Sequence, residues 1–547
     1  MAKFNRPNVR SRADGPVTTT GPATTYEGGA AFTRDPLSEL VLLAVVNMVG
    51  EDTFYESADT RDTRFAVLCR EIAVNRPADF LHFVRWLRGE ANMRSASLVA
   101  AAEGVKARLH ERDLSVVAGE RPGDADGLNR KIVNAVLQRP DEPGEFLAYW
   151  TANYGRALPK PVKRGVADAV TRLYHERSLL KYDTASHGWR FADVLDLVHP
   201  SPRAPWQGDL FAYALNRRTR AVSPKGHPEQ IPESLGVVAR NRSFPGRVEE
   251  APYLAYDSEA IREAGLTWED VLSQYGSKVD KAKLWEAMIP NMGIMALIRN
   301  LRNFDEAKVS DKAAQLVISE LQDPEQIAKS RQFPYRFLSA YRAAPSLRWG
   351  HALETALHAS MLNVPEFTGR TLVLIDTSAS MRQTVSAKSQ VRHVDVAALV
   401  GLTFAHRSRV KSDVIGFADN AFRFDVSVGG SVLRDMDAFD RCIGSVGHGT
   451  NTVAALQATY NGHDRVIICH DGQYGSFAYA WPTLSTSLPA HVPLFSIDTS
   501  GYQASAVDTS EPNRYEIGGF SDKLFTMVKM LDSGRSTKWP WQQPTVR

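Results

Sequence analysis

From Leu37 to about Pro365, apolar residues recur at intervals of three and four, the spacing that gathers them on one face of a helix. Such stripes run through residues 40–48, 65–72, 78–87, 97–109, 131–137, 166–180, 260–275, 281–301 and 313–321, with Gly, Pro and Asp clusters between them. Short helices in close succession predict antiparallel helix pairs stacked as an irregular α-helical solenoid, HEAT-like or of the armadillo type. The polar stretch 216–250 reads as an extended connection with some helix. Beyond Phe367 the period changes. Short β-branched runs at 371–375, 413–417, 466–470 and 493–497 alternate with helical patterns, which predicts an α/β doubly wound sheet. Residues 1–25, rich in Thr, Gly, Pro and Arg, read as a mobile basic arm. The chain therefore divides into an arm (1–25), a helical domain (26–365) and an α/β domain (366–547).

Composition narrows the setting. With 547 residues the chain exceeds one ordinary core, and 43% apolar with 23% charged residues is a globular balance. No run of 18 uncharged apolar residues occurs, and the start Met-Ala-Lys-Phe-Asn-Arg-Pro lacks a secretory apolar core, so no membrane association is expected. Three scattered cysteines, Cys69, Cys442 and Cys469, form no disulfide framework and fit a reducing, cytoplasmic location.

The run Thr371-Leu372-Val373-Leu374-Ile375 ends in Asp376, followed by Ser378 and Ser380 at alternate positions. At the carboxyl end of a parallel strand these side chains can converge where open α/β sheets bind ligands. One carboxylate and two hydroxyls suit a hard divalent cation, Mg²⁺ above all, with a position left for an oxygen from a partner. The glycine-rich loop Gly447-His448-Gly449-Thr450-Asn451-Thr452 can bring the Thr450 hydroxyl to the same ion, and a second buried run ends in Asp471-Gly472. Residues 367–547 resemble a von Willebrand factor A domain with a metal-ion-dependent adhesion site. The resemblance implies Asp376, Ser378, Ser380, Thr450 and Asp471 as its five positions. It also implies an acidic protein ligand as a partner there. His448 and His470 flank these motifs, but the hydroxyls favour a hard ion over zinc, so both read as neighbouring loop residues.

Net charge is only +3, yet between Thr151 and Arg220 twelve Lys or Arg stand against six Asp or Glu. Residues 366–547 balance at 17 of each sign, so the positive excess lies in the helical part. Its tightest group is Arg156, Lys160, Lys163 and Arg164, with Arg172 further on. Lys and Arg that neutralise phosphates drive sequence-independent, salt-sensitive nucleic-acid binding. A second strip, Arg85, Arg88, Arg94, Lys106 and Arg108, shares this bias. Trp86, Trp189 and Trp285 at helical spacing read as core rather than base-stacking residues.

Ordered motifs connect these features: Tyr26-Glu27-Gly28-Gly29-Ala30-Ala31-Phe32, Glu51-Asp52-Thr53-Phe54-Tyr55-Glu56, Tyr154-Gly155-Arg156-Ala157-Leu158, His187-Gly188-Trp189, Met292-Gly293-Ile294-Met295-Ala296-Leu297-Ile298-Arg299-Asn300-Leu301 and Phe333-Pro334-Tyr335-Arg336-Phe337-Leu338. Their order resembles the TROVE domain of the Ro autoantigen family, in its bacterial or phage branch, across residues 26–547. The resemblance implies a helical ring that binds Y-like noncoding RNA and misfolded small RNA with a single-stranded 3′ end. It also implies an association with an exoribonuclease in RNA quality control. The carry-over onto RNA contacts rests on Arg156, Lys163 and Arg164. Phe191 stands where the family places a histidine, which removes an RNA contact at that position. With no second acid cluster and no nucleophile–base motif, an enzyme is not expected. A metal-dependent protein-interaction scaffold without RNA is the alternative.

Overall fold

The computed structural model describes residues 13–46, 49–117, 127–184, 188–222, 230–245, 253–344, 346–361, 364–387, 389–427, 430–474, 483–519 and 525–542. Its first part is a succession of helices, each packed on near neighbours in sequence. Several expected stripes are divided by caps. The stripe 166–180 breaks at Tyr174, because His175 and Ser178 form a reciprocal capping box, leaving helices Lys160–Leu173 and Glu176–Tyr182. The stripe 260–275 breaks at Gly265, whose φ of +65° no helix accommodates, and Thr267 caps the next helix with Asp270. Pro290 and Gly293 likewise divide 281–301. Helices Glu142–Tyr154, Phe191–Val198, Pro324–Ser330, Pro334–Ala343 and Leu347–Ser360 add to the expected set. Of the stretch read as an extended connection, residues up to Val222 continue helix Pro205–Val222, and Gly236–Ser243 is helical; 223–229 and 246–250 lie outside the described residues.

The two ends of this succession meet. Arg331, left-handed at φ 54°, donates to the carbonyls of Arg88 (2.9 Å) and Gly89, and Asn92 Nδ2 donates to the Arg331 carbonyl at 2.8 Å.

The remaining residues build two sheets. Strands are β1 (Thr19–Thr24), β2 (Ala30–Arg34), β3 (Thr371–Asp376), β4 (Asp413–Phe417), β5 (Ala421–Phe424), β6 (Arg465–His470), β7 (Leu494–Asp498), β8 (Ala504–Ser505) and β9 (Arg514–Gly518). Six form a mixed sheet in the order β5-β4-β3-β6-β7-β9, parallel except for the edge pair β4–β5. Both faces are covered. Val373 and Ile375 join one apolar cluster with helix His393–His406, whereas Leu372 and Leu374 join another with helix Thr452–Thr459. That alternation follows from the two-residue period of a strand.

The expected mobile arm is corrected in part. Residues 1–12 lie outside the described residues, but Ala13 and Val17 are buried and Thr19–Thr24 is strand β1. β1 pairs with β2, and β2 pairs with β8 of the carboxyl-terminal half. Helix Pro36–Val46 then packs on β9 and on the loop after β7, so closely that a Cβ at Gly501 would lie 2.4 Å from Val46 Cγ2. In return, Trp541 packs on Trp86 at 5.3 Å and on Phe83 at 5.5 Å. The two halves are thus interlocked through both chain ends.

Candidate functional site

The first candidate lies at the carboxyl end of β3. Asp376 Oδ1 accepts from Ser378 N at 2.8 Å, which turns the loop and sets the Ser378 and Ser380 hydroxyls 3.2 Å apart. The loop carrying Thr450 reaches this turn: Ala379 N donates to the His448 carbonyl at 2.9 Å. Asp419 shapes that loop by accepting from His448 N (2.9 Å) and Gly449 N (3.1 Å). Gly447 is required there, with φ +97° and no room for a Cβ beside the Asp419 carboxylate. Asp471, after β6, accepts from Gln473 N at 2.9 Å. Asp376, Ser378, Ser380 and Asp471 are all buried, and Thr450 is half-buried.

The electrostatics are unbalanced. Burial first, and then repulsion from Asp471, hold the Asp376 carboxyl well above the usual carboxylate range. Burial pushes Asp471 up to about 6, against an opposing hydrogen bond from Ser380. Asp376 Oδ2 is buried with no hydrogen-bond partner, and so is the Thr452 hydroxyl on the Thr450 loop. Thr452 was not singled out from sequence, although the repeat Thr-Asn-Thr offers two hydroxyls at alternate positions. Among the described residues no cluster of three or more His, Cys, Asp or Glu has metal-holding geometry. Here two carboxylates, Asp376 and Asp471, are accompanied by hydroxyls instead. An all-oxygen donor set with an unsatisfied buried carboxylate oxygen fits a hard divalent cation. His470 is buried and neutral, its pKa held near 4 by burial, with Nε2 2.8 Å from Ser496 Oγ; His448 is exposed.

Two amino-terminal segments close over these loops. Tyr26 N donates to Gln473 Oε1 (2.8 Å) and Thr25 Oγ1 to the Tyr474 carbonyl (2.7 Å). Gln383 Nε2 donates to the Asp52 carbonyl (3.3 Å) and Ala387 N to Glu51 Oε2 (2.8 Å). Nothing in the local sequence pattern indicates contacts across so many residues.

The second candidate is the start of helix Lys160–Leu173. Gly155, at φ +81°, ends the preceding helix and turns the chain outward at Arg156. Pro159 and Pro161 then open the next helix, whose first turn carries Lys160 and no acid. Arg156, Lys160 and Arg164 are exposed and Lys163 is half-exposed. Lys160 stands three and four residues before Lys163 and Arg164, which places the three on one helix face. No ion pair joins any of the four to a described residue. Cations at the positive end of a helix dipole repel it, an arrangement that an anion relieves.

Six other basic residues of the region are used structurally. Arg190 and Arg217 reach Asp183 at 2.7 and 3.4 Å, and Arg218 reaches Asp193 at 3.2 Å. Arg177 donates to the Arg262 carbonyl, and Arg203 stacks on Trp206. Arg172 stands apart from the four: it donates to Asn134 Oδ1 and to the Leu137 carbonyl, both at 2.9 Å, closing the end of helix Leu128–Val136. With Arg85, Lys131 and Gln138 it lines an open cleft of ≈ 560 Å³. Of the second basic strip, Arg85 and Lys106 are exposed, whereas the other three are held within the fold. Arg88 is buried against Glu142 (2.6 Å), Arg94 pairs with Asp141 (2.8 Å), and Arg108 donates to Asn129 (2.8 Å). Trp86 and Trp285 are buried, as expected of core residues, and Trp189 is half-buried beside Phe191. Phe191 itself is buried, stacked on Tyr174 at 3.7 Å.

Comparison with known proteins converges with this architecture. A TROVE domain model matches residues 262–414, a stretch that runs from the later helices across residue 365 into β3 and β4. The crystal structure of the Ro (Rsr) protein of Deinococcus radiodurans superimposes with a TM-score of 0.58 at 19% identity, covering 91% of this chain and 100% of that one. Residues 262–414 thus match the TROVE domain, and the chain shares the fold of that Ro protein. Telomerase protein component 1 of Mus musculus is 40% identical over 83 residues, and its Rattus norvegicus counterpart is 40% identical over 77. Those stretches are 15% and 14% of this chain and span only 3% of either relative. Among the described residues no helix is long and apolar enough to cross a membrane.

Proposed function

We propose that this chain is a non-catalytic RNA-binding protein of Ro type. The observation that carries the reading is the group Arg156, Lys160, Lys163 and Arg164. These four lack ion partners among the described residues, whereas six neighbouring arginines are held within the fold. Phosphate oxygens are the partner such a group suits, since contacts of this kind bind RNA by charge and shape without reading bases. The return of Arg331 onto Arg88 and Gly89 supports a helical array closed into a ring. A single-stranded 3′ end would enter that ring, and structured RNA would lie against the basic helix start. Y-like noncoding RNA and misfolded small RNA are the proposed clients, with an exoribonuclease acting downstream.

The carboxyl-terminal sheet serves as a von Willebrand A-type domain in this reading. Asp376, Ser378, Ser380, Thr450 and Asp471 would hold a divalent cation, Mg²⁺ best matching the oxygen donors. When bound, the cation neutralises the two buried carboxylates and offers a remaining position to another oxygen ligand, an acidic protein among them. The same buried oxygens favour the second reading, a metal-dependent interaction scaffold without RNA.

Crosslinking in cells followed by sequencing separates the two. The RNA-binding reading expects small structured RNAs crosslinked to residues 151–165. Recovery of a protein partner with no enriched RNA supports the scaffold instead.

A further inference from the structure

The cation site just described has one side supplied by the amino-terminal half of the chain. Tyr55 Oη donates to Glu27 Oε1 at 2.6 Å, so an exposed carboxylate is fixed by a half-buried phenol. That phenol also lies near enough to the site for Ser380 and Asp471 to act on it electrostatically. Tyr55 is itself oriented, stacked on Tyr26 at 5.7 Å and packed on the edge of Tyr502 at 5.6 Å. Its backbone N–H donates to Tyr502 Oη at 3.3 Å.

The segments carrying these two residues are held to the loops that carry the five candidate positions. Residues 25 and 26 bond to Tyr474 and Gln473, three and two residues beyond Asp471. Residues 51 and 52 bond to Ala387 and Gln383, on the chain that continues from Ser380. Meanwhile Asp376 Oδ2 has no partner. A cation held by the two buried carboxylates would attract the further carboxylate that Tyr55 fixes on the segment over these loops.

We propose that Glu27 and Tyr55 belong to the cation site, and that the carboxylate which completes it comes from this chain rather than from an outside acidic partner. This rests on the reading of Asp376, Ser378, Ser380, Thr450 and Asp471 as a cation site. The ion then works as a clamp. It fixes residues 25–30 and 50–56 onto the sheet, and an external acid gains access only by displacing Glu27. Positioning through a hydrogen-bonded neighbour is the usual way a fold tunes metal ligands.

Mn²⁺ alone, titrated calorimetrically into the full chain, provides the test, with amide hydrogen exchange of residues 25–30 and 50–56 as a second readout. Wild type is expected to bind Mn²⁺ and to slow exchange in both segments. Glu27→Gln and Tyr55→Phe, conservative in shape, are each expected to weaken Mn²⁺ by about tenfold and to lose the exchange protection. Acetate should add to Mn²⁺-loaded Glu27→Gln but not to Mn²⁺-loaded wild type. Equal Mn²⁺ affinity and equal protection in wild type and both variants overturns the assignment of Glu27 and Tyr55 while leaving the cation site standing. Absence of Mn²⁺ binding to wild type overturns the cation site itself.

Discussion

Arg34 and Glu516, 482 positions apart in sequence, form a buried two-point ion pair, with Nε to Oε2 at 2.8 Å and Nη2 to Oε1 at 2.6 Å. The same guanidinium reaches Asp498 at 3.2 Å and the Tyr502 carbonyl. One residue at the end of β2 therefore ties the end of β7 and the middle of β9 to the amino-terminal hairpin. Removing one partner of a buried pair strands the other charge, at a cost of about 3–5 kcal/mol. Arg34→Met is expected to lower the urea midpoint by that equivalent, measured by circular dichroism. The loss should exceed that of Arg302→Met, whose partner Glu306 is exposed.

The cation site predicts a ligand-dependent stability. A cation at a hundredfold excess over its dissociation constant stabilises the folded chain by about 2.7 kcal/mol. Thermal unfolding of wild type should shift upward with Mg²⁺ and return with chelator. Asp376→Asn should unfold at one temperature in both conditions, since it removes a buried donor while relieving the repulsion with Asp471.

His393 predicts an acid-side loss of stability. Buried against the Thr499 carbonyl (3.1 Å) and near the Arg61 charge, its imidazole falls from its ordinary 6.5 to about 4, mainly through burial. The unfolded chain binds this proton first, so the contribution is complete above pH ~6.5 and fades as pH falls toward ~4. A shift of that size corresponds to about 3 kcal/mol. Urea midpoints from pH 7 to 4.5 should fall more steeply for wild type than for His393→Gln.

Phe191 separates packing from recognition. Its stacking on Tyr174 makes it a core residue, so Phe191→Ala is expected to cost about 3–5 kcal/mol of stability. RNA affinity per folded molecule should stay unchanged in a filter-binding assay at a temperature where the variant is folded.

Much of the sheet was legible because its strands are short, β-branched and buried on both faces, as Thr371–Asp376 and Arg465–His470 are. Their acids then fall at strand ends, which is why Asp376 and Asp471 stand out in the sequence. The hairpin β1–β2 was not legible. Its six- and five-residue strands are half polar, and their partner, β8, lies some 470 residues away. Helix boundaries failed where capping decided them, as at His175 and Gly265. Charge counting overstated the basic face, because sequence does not reveal that Arg190, Arg217 and Arg218 are spent on Asp183 and Asp193. The contribution of Tyr55 and Glu27 to the loop cluster was invisible for the same reason as β8: it depends on distant segments folding together.

The central claim is that exposed cations at the start of helix Lys160–Leu173 bind RNA phosphates. Its most direct test is the affinity of a structured RNA with a free 3′ tail, measured across salt concentration for wild type and for Lys163→Glu/Arg164→Glu. Loss of two phosphate contacts should make the log–log salt slope shallower by about 1.5 and weaken low-salt binding at least tenfold, on the order of 1.4 kcal/mol. Identical slopes and affinities for the two proteins would contradict it.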